Sequence, residues 1–177
     1  MSGSAPKTRR EWGWHPLRPE WARRIVDSAE VRRGDLVLDL GAGHGALTGP
    51  LLAAGARVIA VELHPRRVSV LRERYGDTGL RVVRSDLREL RLPRRPFRVV
   101  ASPPYQMTTE LVRLLMGTDR LLSADLVLER GAVRRLVERP PRGRHGRRYT
   151  MEPGLPVPRQ AFRPSPRVDS RVLRIRR

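Results

Sequence analysis

The stretch LVLDLGAGHG, residues 36–45, carries the strongest indication of the fold. Leu36–Leu40 is an apolar run of strand length, interrupted only by Asp39, and a glycine then stands at every second position of GAGHG. Glycine lets the backbone turn sharply from a strand into a helix and approach a ligand closely. The stretch therefore predicts a buried strand that ends in a ligand-binding glycine loop.

Apolar runs of strand length alternate with helical patterns on both sides of this loop. We predict strands at Leu36–Leu40, Val58–Val61, Leu80–Val83, Phe97–Ala101 and Ala124–Leu128, and helices at Glu20–Ala29, Ala46–Ala54, Pro65–Tyr75, Thr108–Met116 and Gly131–Glu138. Continuous apolar strands that alternate with helices indicate a parallel sheet covered on both faces. Two later extended segments, Thr150–Arg159 and Arg171–Ile175, are expected to pair as an antiparallel hairpin at the sheet edge.

The predicted fold class is therefore α/β, a Rossmann-like sandwich whose sheet is mostly parallel with a C-terminal antiparallel hairpin. Residues 1–17 form a basic leader, and residues 18–177 form a single domain. Within that domain, residues 139–148 (RPPRGRHGRR) combine proline, glycine and arginine. This composition predicts a flexible basic loop rather than a packed element.

The charge of the chain is strongly positive. Lys and Arg number 37 against 18 Asp and Glu, a formal net charge of +19, and Lys7 is the only lysine. Arginine forks bind phosphate bidentately and stack on bases, so this excess favours a nucleic-acid partner. GC-rich coding would explain arginine in place of lysine, but it would not explain the surplus over acidic residues.

Several other classes of protein are disfavoured by composition. Cysteine is absent and the four histidines are scattered, so neither a disulfide framework nor a metal site is predicted. No stretch reaches the roughly 20 apolar residues of a membrane span. Met1–Arg10 is polar and lacks the apolar segment of a secretory signal. We expect a soluble, cytoplasmic protein that does not bind membranes.

The residues at the predicted strand ends limit which class of ligand the glycine loop can bind. Glu62 ends the second strand, where an acidic residue binds ribose hydroxyls. Gly41 and Gly43, with Ala46, also satisfy the dinucleotide pattern G-x-G-x-x-A, so NAD is an alternative, as is a simple tight turn. Asp39 would stand too close to a pyrophosphate, however, and suits a ligand with an amino group.

A third strand ends at Ser85-Asp86, where a carboxylate can accept a hydrogen bond from an adenine amino group. Acidic residues at three successive strand ends suit a cationic nucleoside that lacks phosphate. S-adenosylmethionine is such a ligand, and the sequence favours it as the cofactor.

The fourth strand is followed by Ser102-Pro103-Pro104-Tyr105. The lone pair of adenine N6 is delocalised into its ring, so this amine is a poor nucleophile. The Ser102 oxygen and the Pro103 carbonyl can both accept its N–H groups and direct the nitrogen towards the sulfonium methyl, so that positioning and electrostatics provide the catalysis. Tyr105 offers a face on which an extruded base can stack. The alternative is a proline turn with a purely structural role.

These motifs together resemble the erythromycin-resistance (Erm) methyltransferases of large-subunit rRNA, which are related to the dimethyladenosine transferases of small-subunit rRNA. The resemblance runs from the leader segment GWHPL (13–17) through DLGAGHGALT (39–48), VELHP (61–65) and Ser85-Asp86 to FRPSPRVDS (162–170). It implies a class I methyltransferase fold and S-adenosylmethionine-dependent methylation of adenine N6.

The resemblance also assigns roles to individual residues. Tyr105 and Phe162 would contact the two faces of the target adenine, with Ser102 at the position of the family's catalytic asparagine, and His15 would close over the cofactor. The cofactor would be bound by His15, Leu17, Asp39, Gly41, Ala42, Gly43, Glu62, Leu63, Asp86, Leu87 and Ser102.

The sequence departs from the family at three places. Serine at position 102 predicts slower transfer and monomethylation. Trp14 and Pro16 replace glutamine and phenylalanine in the leader, where Trp14 is equally interpretable as a core aromatic. Family members continue into a small helical domain, whereas this sequence ends at Arg177, which predicts a short form of the enzyme.

RNA binding is then expected from arginines of the leader, the basic loop and the surroundings of the pocket. These are Arg9, Arg10, Arg142, Arg144, Arg147, Arg148, Arg163 and Arg167. Binding through backbone phosphates predicts a steep dependence on salt. A solvated charge run is the alternative interpretation of the loop.

The predicted function is N6-methylation of an adenine in 23S rRNA before full ribosome assembly, by a monomer, with resistance to macrolide, lincosamide and streptogramin drugs as the consequence. One alternative is a methyltransferase of the same fold that acts on DNA or on a protein side chain. Another is an RNA-binding or assembly protein with little catalytic activity.

Overall fold

The computed structural model describes residues 15–177. Arg9, Arg10 and Trp14, to which the sequence analysis assigned roles, lie outside the described residues. The helices are α1 (Pro19–Ser28), α2 (Thr48–Ala53), α3 (Pro65–Tyr75), α4 (Thr108–Met116) and α5 (Arg130–Glu138). The strands are β1 (Leu36–Leu40), β2 (Arg57–Glu62), β3 (Arg81–Arg84), β4 (Phe97–Ala101), β5 (Leu121–Glu129), β6 (Thr150–Val157) and β7 (Ser170–Arg176).

These strands form one sheet in the order β3-β2-β1-β4-β5-β7-β6. Strands β1 to β5 run parallel, whereas β7 is antiparallel to both β5 and β6. The prediction of a mostly parallel α/β sheet with a C-terminal antiparallel hairpin is confirmed. Strand β7 lies between β5 and β6, so the hairpin extends the sheet rather than packing on its face.

Alternate strand residues face the two helical layers, as the two-residue period of a strand requires. On β1, Val37 packs in the cluster that includes Ile25 of α1 and Leu51 of α2. Its neighbour Leu38 packs in the cluster formed with Leu115 of α4 and with residues of α5. The core is thus divided by the sheet, with both layers buried.

The first two residues of the predicted helix 46–54 are not helical, because α2 begins at Thr48. Residues 41–47 form turns, in which Gly45 has a φ of +89°. A Cβ at Gly45 would lie 2.7 Å from the Tyr75 ring of α3, so only glycine lets the chain pass this ring. The glycine loop is therefore longer than the sequence periodicity indicated.

The basic loop 139–148 is irregular apart from a 3₁₀ turn at Gly146–Arg148. A Cβ at Gly143 would lie 2.8 Å from the carbonyl oxygen of Met116, and the His145 N–H donates to the same oxygen at 3.3 Å. The expectation that the loop is not packed is therefore wrong at these two residues, because they cover the end of α4.

None of the helices in residues 15–177 is both long enough and apolar enough to span a bilayer. Within the same residues, no three acidic, histidine or cysteine side chains come together as a set of metal ligands.

Candidate active site

A cavity of about 350 Å³ opens at the carboxyl edge of the sheet, above the ends of β1 to β4. Clefts outside the carboxyl ends of parallel strands are the usual ligand sites of open α/β sheets. Most of the residues singled out from the sequence line it, namely His15, Leu17, Asp39, Gly41, Ala42, Glu62, Leu63, Asp86, Leu87, Ser102, Pro103 and Tyr105. The tertiary structure therefore brings together residues from five separate segments of the chain.

Glu62, at the end of β2, is 5% exposed and organises the loops on either side of it. Its Oε2 accepts a hydrogen bond of 2.8 Å from the Gly43 N–H, and its Oε1 accepts one of 2.8 Å from the His64 N–H. Arg67 lies 3.8 Å from Oε1. Gly43 does not itself line the cavity, and its place in the site is to hold this carboxylate.

Asp39, near the end of β1, is 1% exposed and lies beside the cavity. Its Oδ2 accepts a hydrogen bond of 2.6 Å from the Thr48 hydroxyl at the start of α2. Burial raises the pKa of Asp39 from 3.8 to about 7, partly offset by the Thr48 hydrogen bond and reinforced by the negative charge of Glu62. A cationic ligand group would favour the charged carboxylate and lower this pKa.

Asp86 follows β3 and lies at a more open part of the cavity. Its side chain is 31% exposed, and its Oδ1 accepts a hydrogen bond of 2.9 Å from the Arg88 N–H. Oδ2 lies 4.0 Å from the Arg88 guanidinium. The second lone pair of each oxygen remains available to a ligand donor.

The segment Ser102–Tyr105 packs closely against the glycine loop. Gly41 has a φ of +76°, and a Cβ there would lie 3.1 Å from Cδ of Pro104. The left-handed φ and the close approach of Pro104 both favour glycine at position 41, a link between the first and fourth strand ends that the sequence does not reveal. Ser102 lines the cavity, and its hydroxyl has no hydrogen-bond partner among residues 15–177.

Tyr105 is held at both ends. Its hydroxyl and that of Ser170 are 2.7 Å apart, and its carbonyl accepts a hydrogen bond of 2.7 Å from Thr108. Burial raises the pKa of the Tyr105 hydroxyl above its usual value of 10, so the group stays neutral across the physiological range. Its ring is thereby fixed at the wall of the cavity.

His15 lies opposite this ring. The His15 and Tyr105 rings are stacked with centroids 6.4 Å apart and an angle of 18° between their planes. The His15 Nδ1 is 3.0 Å from the Pro164 carbonyl, which can only accept, so this nitrogen carries the hydrogen.

Phe162 does not occupy the position that the resemblance implied. It is 1% exposed, and it packs in the core cluster of Ile25, Leu51 and Val172. Its backbone forms an isolated antiparallel bridge with Leu17. A ring with no exposed face cannot stack on a base, so in this structure Phe162 anchors the leader to the core. The pattern FRPSP could not reveal this, because it places a phenylalanine at position 162 without specifying whether its ring is buried or exposed.

Several residues of the site were missed from the sequence. The cavity is also lined by His44, Ala46, Leu47, Arg67, Gln106 and Met107. The buried Thr48 that holds Asp39 was missed as well. No spacing rule links these positions to the strand ends. One signal was available, since a hydroxyl at a helix start often binds a nearby polar group.

The arginines assigned to RNA binding are at the surface. Arg142, Arg144, Arg147 and Arg148 of the basic loop are exposed, as are Arg163 and Arg167 in the segment before β7, although neither of these two lines the cavity.

A second arginine-rich surface was not anticipated from the sequence. It is a groove of about 790 Å³ over β1–β3, lined by Arg57, Arg81, Arg84, Arg91, Arg94 and Arg95 together with Glu89. These six guanidinium groups have no ion-pair partner in the described part of the chain.

The chain is similar to proteins of known family. The family model described as ribosomal RNA adenine dimethylase matches residues 7–177. A probable ribosomal RNA small subunit methyltransferase A of Methanopyrus kandleri is 36% identical over 159 residues, which cover 85% of this chain and 57% of the relative. An rRNA adenine N-6-methyltransferase of Bacillus licheniformis is 31% identical over 86% of this chain and 56% of its own length. The chain thus spans less than three fifths of these relatives.

Among solved structures, the 23S rRNA methyltransferase ErmE superimposes with a TM-score of 0.80 and 31% identity, covering 92% of this chain and 69% of ErmE. With the sheet order and the antiparallel β7, this likeness identifies the class I fold of S-adenosylmethionine-dependent methyltransferases. The chain belongs to the ribosomal RNA adenine dimethylase family.

Proposed function

We propose that this protein transfers the methyl group of S-adenosylmethionine to N6 of an adenine in ribosomal RNA. One observation carries the proposal: the carboxylates of Asp39, Glu62 and Asp86 and the segment Ser102–Tyr105 line a single cavity. Three acidic groups suit a cationic nucleoside cofactor. After the fourth strand, the Ser102 oxygen and the Pro103 carbonyl can accept hydrogen bonds from the amine of a substrate. Family membership supports the same activity.

The residues present fit the cofactor. Asp39 is a buried carboxyl with a pKa of about 7, and a cationic ammonium group would compensate its charge. Gly41, in a left-handed conformation, leaves the loop without a side chain beside Pro103 and Pro104. In this proposal Glu62 holds the ribose hydroxyls and Asp86 the adenine amino group, with Leu63 and Leu87 beside them.

The protein contributes positioning to the reaction. The cofactor supplies an electrophilic methyl on its sulfonium. Ser102 and the Pro103 carbonyl accept the N–H groups of the target amine and direct its nitrogen towards the cofactor site. Tyr105, neutral and fixed through Ser170, provides a stacking face. No strong base is needed, because the nitrogen loses its proton after the methyl group has been transferred.

Ribosomal RNA as the partner is supported by charge. The chain has a net charge of +19, and the exposed arginines of the basic loop and the groove over β1–β3 have no acidic partners among residues 15–177. We expect a monomer that binds the RNA before the ribosome is fully assembled. An assembled ribosome leaves little room around a base that must be extruded.

We assign the target to 23S rRNA, with resistance to macrolide, lincosamide and streptogramin drugs as the consequence. The likeness to ErmE supports this assignment. The small-subunit rRNA is the second candidate, and the Methanopyrus kandleri relative favours it.

The test is to express the wild type and, separately, the Tyr105→Ala variant in a macrolide-sensitive host. Mass spectrometry of the 16S and 23S rRNA from each host then detects methylated adenines. We expect one new methylated adenine in 23S rRNA with the wild type and none with the variant. A new mark in 16S rRNA would support the second candidate. The absence of a new mark in either rRNA would contradict the proposal.

Labelled cofactor offered in parallel to RNA, DNA and protein fractions distinguishes the other substrates. Transfer to DNA or protein in preference to RNA would contradict rRNA as the substrate. RNA binding without cofactor affinity in a calorimeter would indicate an assembly protein instead.

A further inference from the structure

The crossover between β3 and β4 differs from the other connections of the parallel sheet. The connections β1–β2, β2–β3 and β4–β5 contain the helices α2, α3 and α4, whereas residues 85–96 contain only a 3₁₀ turn at Leu87–Glu89. Because β4 lies beyond β2 and β1 in the sheet, this segment crosses both strands. An irregular segment is narrower than the roughly 10 Å of a helix, and a groove remains open over β1–β3.

This groove has an apolar floor with arginines around it. The two-residue period of a strand places Arg57 and Ile59 on one face of β2, and Arg81 and Val83 on one face of β3. Ile59 is paired with Arg81, so both pairs of residues are on the same face of the sheet. Ile59 and Val83 are only partly buried. The crossover adds three further arginines to the lining, Arg91, Arg94 and Arg95.

The positive charge of the groove is not compensated within the described part of the chain. Its six arginines, Arg84 included, are exposed and have no ion-pair partner there, and the one acidic residue in the lining is Glu89. Elsewhere on the sheet arginines do have acidic partners, as in the pair of Arg98 and Asp35 at 2.8 Å. Concentrated charge of one sign attracts counter-ions and repels itself, so the groove suits an extended anionic partner.

The groove adjoins the cavity of the active site, because Val61 and Ser85 line both. From Val61 it follows β2 to Arg57, which is four residues away, or roughly 13 Å at about 3.3 Å per residue. One strand of a nucleic-acid helix advances about 3.4 Å per nucleotide. A stretch of roughly four nucleotides therefore matches the length of the groove.

We propose that this groove, which we call the arginine groove, binds the phosphate backbone of the RNA strand next to the target adenine. The inference rests on the proposed function for RNA as the class of partner. With the adenine in the cavity, the adjoining nucleotides pass Val61 and Ser85, and their phosphates meet the arginines. Arginine forks bind phosphate bidentately. The partly buried Ile59 and Val83 offer the strand an apolar surface.

The arginine groove is a surface separate from the basic loop, since residues 139–148 line neither the cavity nor the groove. Contacts to phosphate fix the register and orientation of a nucleic acid but carry no sequence information. The groove therefore positions the RNA and does not select adenine. Its loss is expected to raise KM for RNA and to leave kcat at saturating RNA within twofold of the wild type.

The test compares two double variants, one for the strands and one for the crossover. The first is Arg57→Ser with Arg81→Ser, and the second is Arg94→Ser with Arg95→Ser. All four side chains are exposed and unpaired in the described chain, so both variants are expected to fold. In filter binding to protein-free rRNA, we expect the slope of log K against log salt to fall by about 1.4 in each variant, which is a roughly 25-fold loss of affinity at 0.1 M salt.

The control removes two exposed arginines of α1 and α3, in Arg23→Ser with Arg72→Ser. We expect it to lose less than threefold in affinity. Glu89→Gln removes the acidic group of the groove and is expected to raise the affinity for rRNA at least twofold. Calorimetry with S-adenosylhomocysteine should give wild-type cofactor affinity for every variant. Groove variants that bind rRNA as the control does would overturn the arginine groove, and so would weaker binding by Glu89→Gln.

Crosslinking locates the RNA directly. Protein-free rRNA substituted with 4-thiouridine is irradiated with the wild type, and we expect crosslinked peptides from residues 79–95. Crosslinks confined to residues 139–148 would overturn the proposal. Poly-glutamate is the probe for an acidic protein partner. Its binding in preference to rRNA, with loss in both groove variants, would overturn RNA as the occupant.

The binding assays do not depend on methyl transfer, so the two proposals can fail separately. Groove-dependent binding of RNA without methylation of any rRNA would contradict the proposed function and leave the arginine groove intact. Methylation by both groove variants with wild-type kcat/KM would contradict the arginine groove alone.

Discussion

The Gly43 N–H donates a hydrogen bond of 2.8 Å to Oε2 of Glu62, across 19 positions of the chain. The bond joins the loop after β1 to the end of β2. The other carboxylate oxygen accepts the His64 N–H, so one buried side chain satisfies backbone donors on two loops. This carboxylate therefore joins two of the loops that border the cavity.

Replacing Glu62 with alanine is expected to damage both stability and cofactor binding. It leaves the buried Gly43 N–H and the part-buried His64 N–H without their acceptor, and an unsatisfied buried donor costs roughly 1–3 kcal/mol. Chemical denaturation measures the loss, and calorimetry with S-adenosylmethionine is expected to show at least a tenfold rise in Kd. Glu89→Ala, on the exposed turn after β3, is the control and should leave both unchanged. Equal behaviour of the two variants would contradict the role of Glu62.

Asp39 is expected to make the affinity for the cofactor depend on pH. Its pKa is about 7 in the protein without ligand, mainly because of burial, and a cationic cofactor favours the charged form. The charged fraction rises about tenfold between pH 6 and pH 8, so we expect the association constant to rise by roughly that factor and then level off. Calorimetry of the wild type and Asp39→Asn measures it. The variant keeps the ligand's own titration, and a pH dependence identical to the wild type would exclude Asp39 as the cause.

The same shift predicts the effect of pH on stability without ligand. Because the folded pKa lies above the unfolded value of 3.8, the folded state retains a proton that the unfolded state has lost. The contribution of Asp39 to the unfolding free energy therefore falls as pH rises from about 4 to about 7, and it is constant above that. We expect the difference between the denaturation midpoints of the wild type and of Asp39→Asn to fall over the same pH range and to stay constant above it. A difference that rises with pH would contradict it.

Gly41→Ala is expected to impair catalysis. The added Cβ would lie 3.1 Å from Cδ of Pro104, and a φ of +76° costs an L-residue roughly 1–2 kcal/mol. We expect displacement of Ser102–Tyr105 and a fall in kcat of tenfold or more. Gly76→Ala is the matched control, since Gly76 has an ordinary φ of −56° and no atom within 4 Å of an added Cβ. Wild-type methyl transfer by Gly41→Ala would show that the contact is unimportant.

Ser102 is expected to act through its oxygen. Ser102→Ala removes the acceptor for the target amine and should lower kcat roughly 100-fold, in line with the loss of one oriented polar group in other enzymes. Ser102→Asn provides a longer acceptor and should transfer faster, with dimethyladenine detected by mass spectrometry. KM for RNA should change little in either variant. An unchanged kcat in Ser102→Ala would contradict the role.

The basic loop predicts the salt dependence of RNA binding. Replacing Arg142 and Arg144 with serine removes two exposed cations, so the slope of log K against log salt should fall by about 0.7 for each lost phosphate contact. Filter binding to protein-free rRNA over a salt series measures the slope. The control is the double variant Arg23→Ser with Arg72→Ser. It removes two exposed cations from α1 and α3, away from the basic loop. An equal change in both double variants would indicate a general charge effect.

Much of the site could be predicted from sequence, for a physical reason. Apolar runs specify strands, and the carboxyl ends of parallel strands meet at one edge of the sheet. Glu62, Asp86 and Ser102 follow or end such a run, and Asp39 is the second-last residue of one; the structure places all four in one cavity. The antiparallel hairpin was also predictable, because it adds two extended segments after the last helix.

The tertiary structure alone decided which side chains face the cavity and which support it. Tyr105 and Phe162 were interpreted as a pair of stacking rings, yet Phe162 is buried with Leu17, and His15 stands opposite Tyr105. A motif names a residue type, but burial depends on contacts with distant segments. Thr48 beside Asp39 was hidden for the same reason.

The opening stretch LVLDLGAGHG by itself determined a strand, a glycine loop and the place of a ligand, because these follow from local backbone geometry. The packing of Gly41 on Pro104 and the bond from Gly43 to Glu62 were decided only when distant strand ends met. Local patterns specify the elements, whereas the contacts between their ends depend on the three-dimensional arrangement of the whole sheet.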